Sequence, residues 1–121
     1  MSERLRLGEF GERVATHRLE AEGMRILARN VRTPAGEIDI VAADGADVAF
    51  VEVRTRRAGP GSAAESLTPV KIRRMWQCAM EWCEAAGVDP ERARLDVVSV
   101  DLGPGGQAAH VEHLRALDVP E

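Results

Sequence analysis

Aromatic side chains are scarce in this chain of 121 residues, which has two Phe, two Trp and no Tyr. A surface that stacks unpaired bases needs such rings. Trp76 and Trp82 instead fall on and beside the apolar face of one predicted helix, where packing is the expected role. The two cysteines, Cys78 and Cys83, lie in that same helix. Their spacing suits neither a disulfide framework nor a zinc site, so both are expected to pack. No apolar run approaches membrane-spanning length. The opening Met1-Ser2-Glu3-Arg4-Leu5-Arg6 leads into charged residues rather than the apolar core of a signal peptide, so a cytoplasmic address without membrane association is expected. Phosphate loop, nucleophile elbow, internal repeat and long linker are all missing. One domain over 1–121, with a core from about 8 to 114, follows from the length.

Charge is close to balanced, with a net of −4, which argues against a protein that coats nucleic acid nonspecifically. Its distribution is uneven. Between Val53 and Arg74 stand Arg54, Arg56, Arg57, Lys71, Arg73 and Arg74 against one acid, Glu65. Such a stretch can meet phosphate locally; the plainer reading is a solvated loop and helix face. Of the 16 Lys and Arg residues only Lys71 is lysine. A single amine in an arginine background points weakly to a local need for it.

Hydrophobic periodicity divides the chain. Glu9 to Glu22 reads as a helix bounded by Gly8 and Gly23. Phe10 and Val14 mark its apolar side, and Glu12 lies beside the stripe of Ala15 and Leu19. Met24 to Val31, Glu37 to Ala43 and Val48 to Thr55 read as strands, separated by Thr33-Pro34-Ala35-Gly36 and by Asp44-Gly45. In the third strand Val51 and Val53 face one way, Glu52 and Arg54 the other. Arg57 to Thr68 reads as a loop. Thr68 then caps, and Pro69 opens, a helix that ends at Gly87. Leu95 to Leu102 is a fourth strand and His110 to Leu114 a fifth, at an edge. Short turns between the first three strands predict an antiparallel meander, and the second helix crosses over to bring in the fourth strand. The expected class is α/β: a mixed sheet flanked by helices, in the order helix, three strands, helix, two strands.

Asp39 and Glu52 occupy strands that should pair, each embedded among Val and Ile. A buried carboxylate is costly unless it is paired or holds a metal. Two close carboxylates repel unless a cation lies between them, and hard divalent cations prefer this oxygen environment. Glu12 could add a third ligand, and Arg54, two residues beyond Glu52, projects to the same face. The competing reading is a pair of solvated strand acids bonded to neighbours. His17, His110 and His113 read as surface or edge residues, with His17 the one that could approach the acids.

The blocks Gly8-Glu9-Phe10-Gly11-Glu12, Gly36-Glu37-Ile38-Asp39-Ile40-Val41 and Phe50-Val51-Glu52-Val53-Arg54-Thr55-Arg56 come in this order. With Glu65-Ser66-Leu67-Thr68-Pro69-Val70-Lys71 and Arg94-Leu95-Asp96-Val97-Val98, they resemble the YraN-like family of small bacterial proteins. That family looks like a branch of the restriction-endonuclease-like superfamily and is similar to Holliday-junction resolvases. The resemblance implies a restriction-endonuclease-like core and a site with Glu12, Asp39 and Glu52 as metal ligands. It also implies Mg²⁺- or Mn²⁺-dependent hydrolysis of phosphodiesters in structured or branched DNA or RNA. Arg54 stands where the superfamily has a lysine; arginine keeps the charge and removes acid–base chemistry, and Lys71 could compensate. Arg56, Arg57, Arg73 and Arg74 would contact nucleic acid. A homodimer would be needed for symmetric cutting. The alternative is a noncatalytic nucleic-acid-binding or partner-docking domain on the same fold.

Overall fold

The computed structural model describes residues 2–57 and 67–121. The first helix, α1, runs Glu3–Ala21. Three strands follow: β1 at Arg25–Thr33, β2 at Gly36–Asp44 and β3 at Asp47–Arg56. The second helix, α2, spans Pro69–Ala86. A short 3-10 turn at Pro90–Arg92 leads into β4, Ala93–Leu102, and β5 covers Ala108–Leu114. Apart from that 3-10 turn, the element order is the expected one. Most of the expected loop, from 58 to 66 and so including Pro60, Glu65 and Ser66, lies outside the described residues.

The five strands lie in the order β1-β2-β3-β4-β5. The first three form an antiparallel meander, β3 and β4 run parallel, and β5 returns antiparallel on β4. The parallel step requires the crossover that α2 provides. The two helices pack on two separate cores. Ala15 and Leu19 of α1 meet Ile40, Val51, Val98 and Val100. Cys78, Ala79 and Cys83 of α2 meet Val41, Phe50 and Leu95. Central strands covered on both faces need apolar residues on both, and β4 accordingly sends Val98 and Val100 to one core and Leu95 to the other. Both cysteines are free and buried. Trp82 packs edge-on against Phe50, with ring centroids 5.5 Å apart. Among the described residues no helix is long and apolar enough to cross a membrane.

The start of α1 differs from expectation for an identifiable reason. Helix α1 begins six residues earlier than Glu9, at Glu3, and runs straight through Gly8. There is open space around Gly8, so that glycine costs some helix propensity without ending the helix. Gly11 answers to a tighter constraint: it is buried, and a methyl group there would overlap Thr55 Oγ1 of β3. At the start of α2 the expected cap is present. The Thr68 side chain accepts from the Lys71 N–H at 3.2 Å, and Gly87 ends the helix at φ 69°.

His113, expected at the surface or edge, is buried, although β5 is an edge strand. Its side chain is 2% exposed. Nε2 lies 2.8 Å from Asp96 Oδ2 and Nδ1 3.1 Å from Glu22. Asp96 is fully buried on β4. It also accepts from Arg94 Nε at 3.1 Å and from the Ala116 N–H at 3.0 Å. Arg94 reaches on to Asp44 at 2.9 Å, and Arg115 bonds both Asp44 and Glu22. The bond to Asp96, opposed by burial and aided by Glu22, raises the His113 pKa. The Arg115 bond holds Glu22 down at about 2. This network ties the end of α1, the β2–β3 turn, β4 and β5 together.

Two stability predictions follow from these contacts. Gly11→Ala is expected to cost about 1–3 kcal/mol by overpacking, with partial recovery in Gly11→Ala/Thr55→Ala, measured by urea unfolding. Asp96→Ala strands Arg94 and His113 and is expected to cost roughly 3–5 kcal/mol in the same experiment.

Candidate functional site: an acidic row where two strands part

The β2–β3 ladder runs from the Asp44–Asp47 pair to the Ile40–Val51 pair and stops there. Past that point Asp39 Oδ2 accepts the Val53 N–H at 2.8 Å. A side-chain carboxylate thus takes the place of a backbone carbonyl, and the strands open around it. Glu52 hydrogen-bonds Asp39 across the gap. A bond between two carboxyls needs a proton on one of them. Glu52 keeps it: burial, with Asp39 beside it, pushes its pKa up to about 8. Arg54 Nη1 stands 3.7 Å from Glu52 Oε2. Arg54 and Lys71 both act on Glu52 in the opposite sense, favouring its charged form.

Glu12, half-buried on α1, completes the row. Its pKa is raised by burial and then by the Asp39 charge, while a side-chain bond from Asn30 and the nearby Arg29 pull the other way. Asn30 sits on β1 with φ 51°, between the Arg29–Ile40 and Val31–Ile38 pairs and therefore opposite Asp39. A left-handed conformation in a non-glycine residue is unusual, and Asn tolerates it best. At Asn30 it goes with a side chain that reaches Glu12.

The row thus leads from α1 through the sheet to the start of α2. Glu52, Glu37, Lys71, Arg74 and Met75 line a cleft of about 300 Å³, so the chain's one lysine opens on the same space as Glu52. Among the described residues, no three His, Cys, Asp or Glu side chains form a ready-made metal-holding group. Asp39 and Glu52 are in contact; Glu12 is coupled to Asp39 through charge. Of the arginines expected at nucleic acid, Arg74 lines this cleft. Arg73 is exposed on α2, and Arg56 is half-buried near the end of β3. Arg57 is ion-paired to Glu3 of α1 and lines a different cleft. His17 is exposed on α1.

Arg29, Asn30 and Glu37 join the site without having been singled out from the sequence. Arg29 and Asn30 lie in a strand read only for its apolar content. Glu37 stands in one of the blocks that carry the family resemblance, with no role of its own implied there.

Fold and site define a class: an α/β protein with a five-stranded mixed sheet, a helix on each face and an acidic row at an opened strand pair. Residues 11–100 match the family described as Uncharacterised protein family UPF0102, the YraN family, and the chain belongs to that family. A UPF0102 protein of Kineococcus radiotolerans is 46% identical over 92% of this chain and 92% of its own. One from Rhodococcus jostii is 44% identical over 95% of this chain and 98% of its own. Another, from Symbiobacterium thermophilum, is 46% identical over 84% and 87%.

The raised pKa of Glu52 has a consequence for folding. Between its ordinary value of 4.5 and about 8, the folded state holds a proton that the unfolded state has released. Stability therefore falls as pH rises through this window and levels off above it. Glu52→Gln removes the slope. At pH 8.5 its Tm is expected to exceed that of the unsubstituted protein by ~3 °C or more, with little difference at pH 4.5, as read by thermal unfolding across pH.

Proposed function

We propose that this protein is a metal-dependent nuclease on a restriction-endonuclease-like core, hydrolysing phosphodiester bonds in structured or branched nucleic acid. The observation that carries this reading is the Asp39–Glu52 contact at the opened strand pair, with Glu12 on one side and Lys71 on the other. Its element order supports the core assignment, since helix, three strands, helix and strand succeed one another as that resemblance implies.

The donor set fits Mg²⁺ or Mn²⁺. Mg²⁺ keeps several of its waters and takes one or two protein carboxylates. Asp39 and Glu52 are such a pair, and a divalent cation would replace the proton they share. When bound, that cation supplies Lewis acidity toward a phosphate oxygen. The chain's own groups do the rest. Glu12, its pKa raised by burial and by the Asp39 charge, accepts a proton from the attacking water. Asn30 holds Glu12 in place. Arg54 and Lys71 hold the phosphate and offset the charge that develops on it. Arg54 cannot itself take a proton, so that task stays with Glu12.

Arg54 also favours a second reading. A guanidinium 3.7 Å from Glu52 is well suited to gripping phosphate and carries no acid–base chemistry. A noncatalytic nucleic-acid-binding or partner-docking domain would have that composition.

The test is cleavage of labelled single strand, duplex, flap, four-way junction and structured RNA with Mg²⁺ or Mn²⁺. Cleavage is expected to vanish in Asp39→Asn and Glu52→Gln, and to fall about 100-fold or more in Glu12→Gln. Binding without cleavage of any substrate would overturn the nuclease reading in favour of the binding domain.

A further inference from the structure

Glu12 opens on a cleft of its own. About 190 Å³ in volume, it is lined by Glu9, Glu12, Arg13, Arg29 and Asn30. Glu52 opens on the cleft that contains Lys71 and Arg74. The two clefts share no lining residue, and Asp39 lies between them, acting on Glu12 and bonded to Glu52. Each end of the acidic row therefore meets a hollow with two cationic side chains. Lys71 and Arg74 come from α2; Arg13 comes from α1 and Arg29 from the edge strand β1.

Both arginines of the α1-side cleft have their directions set. The Arg13 guanidinium carbon lies 5.9 Å from the centre of the Phe10 ring, within the range where the ring face attracts the cation. Arg29 is paired in the ladder opposite Ile40. Its neighbour Asn30 takes the left-handed conformation, with its side chain at Glu12. The left-handed residue thus adjoins Arg29, and both line the cleft.

We propose that Arg13 and Arg29 form a binding subsite for a backbone phosphate adjacent to the bond that is cut, so that one nucleic-acid strand crosses the acidic row from the α1-side cleft to the α2-side cleft. This rests on the nuclease reading and adds to it a direction and a second anchor. A strand laid over carboxylates needs cations on both sides of them, because its phosphates repel the acids wherever no metal intervenes. Guanidinium groups bind phosphate through paired N–H donors. Glu9 and Glu12, which share the cleft, keep the site from holding small anions tightly and leave the phosphate dependent on its neighbours along the strand. Phosphate contacts position a strand without reading its sequence, so the subsite serves DNA and RNA alike.

The experiment measures fluorescence anisotropy of labelled single-stranded DNA and RNA of one sequence against the full chain in Ca²⁺, at several salt concentrations. It is paired with cleavage kinetics in Mg²⁺. Arg13→Gln/Arg29→Gln is compared with Arg25→Gln, an exposed arginine on the same strand, and thermal unfolding checks that each variant folds. The double variant is expected to bind roughly tenfold more weakly, with a log–log salt slope shallower by about 0.7, as the loss of one phosphate contact on a single strand requires. Its KM should rise while kcat stays close to that of the unsubstituted protein; Arg25→Gln should change little. Equal affinity and equal slope in the double variant would overturn the subsite, and so would an equal loss in Arg25→Gln. Cleavage by the unsubstituted protein decides the nuclease reading separately. If the unsubstituted protein binds neither strand, the subsite falls, while the nuclease reading stands or falls on the cleavage panel.

Discussion

The bond from the Val53 N–H to the Asp39 carboxylate decides what this sheet can do. A regular ladder between β2 and β3 would seal the strands along their length and leave no room for chemistry. With the Asp39 side chain taking the donor that the partner backbone would have taken, the strands separate without orphaning a buried amide, a loss that would itself be costly. Everything nearby answers to that opening. Glu52 is drawn into contact with Asp39, Asn30 turns left-handed opposite it, and Glu12 comes within reach of the same charge. The low-dielectric surroundings that raise Glu12 and Glu52 also make any cation between the acids more strongly held than it would be in water.

The molecule divides its polar expense between two ends. At one end the buried side chains of Asp96 and His113, with Arg94 and Arg115, are joined through Asp44 and Glu22 into one network that fastens four segments. At the other, Asp39 and Glu52 meet only because Glu52 keeps a proton. The first arrangement confers rigidity; the second is under electrostatic tension that folding alone would not select. Proteins commonly accept such local cost where binding or catalysis needs it, and the well-satisfied end supplies the stability that makes it tolerable.

How far the sequence could be read follows from the kind of signal each feature leaves. Strands, helices and their order were legible, because alternation in β3, the Thr68-Pro69 cap and the glycine after α2 are local. Asp39 and Glu52 were legible as acids in apolar strands, and the structure sets the two side by side. What was illegible involves distant partners. Nothing near His113 announces that Asp96 and Glu22 will enclose it. Gly8 looks like a helix boundary and is not one, since a glycine with open space around it costs too little to end a helix. Asn30 carries no mark of its backbone conformation, which goes with a side-chain bond to Glu12 on a distant element.

Both outer strands of the sheet also bear on how the protein meets copies of itself. Along β5 the Arg18 guanidinium donates to the Val111 carbonyl at 3.1 Å, blocking an acceptor that an incoming strand would need. Along β1 the ladder slips between Ile26 and Ala28, and exposed Arg25, Arg29 and Arg32 stud the margin. Irregular, charged margins resist strand-to-strand annealing. Two copies would therefore meet through helices or loops rather than by extending the sheet.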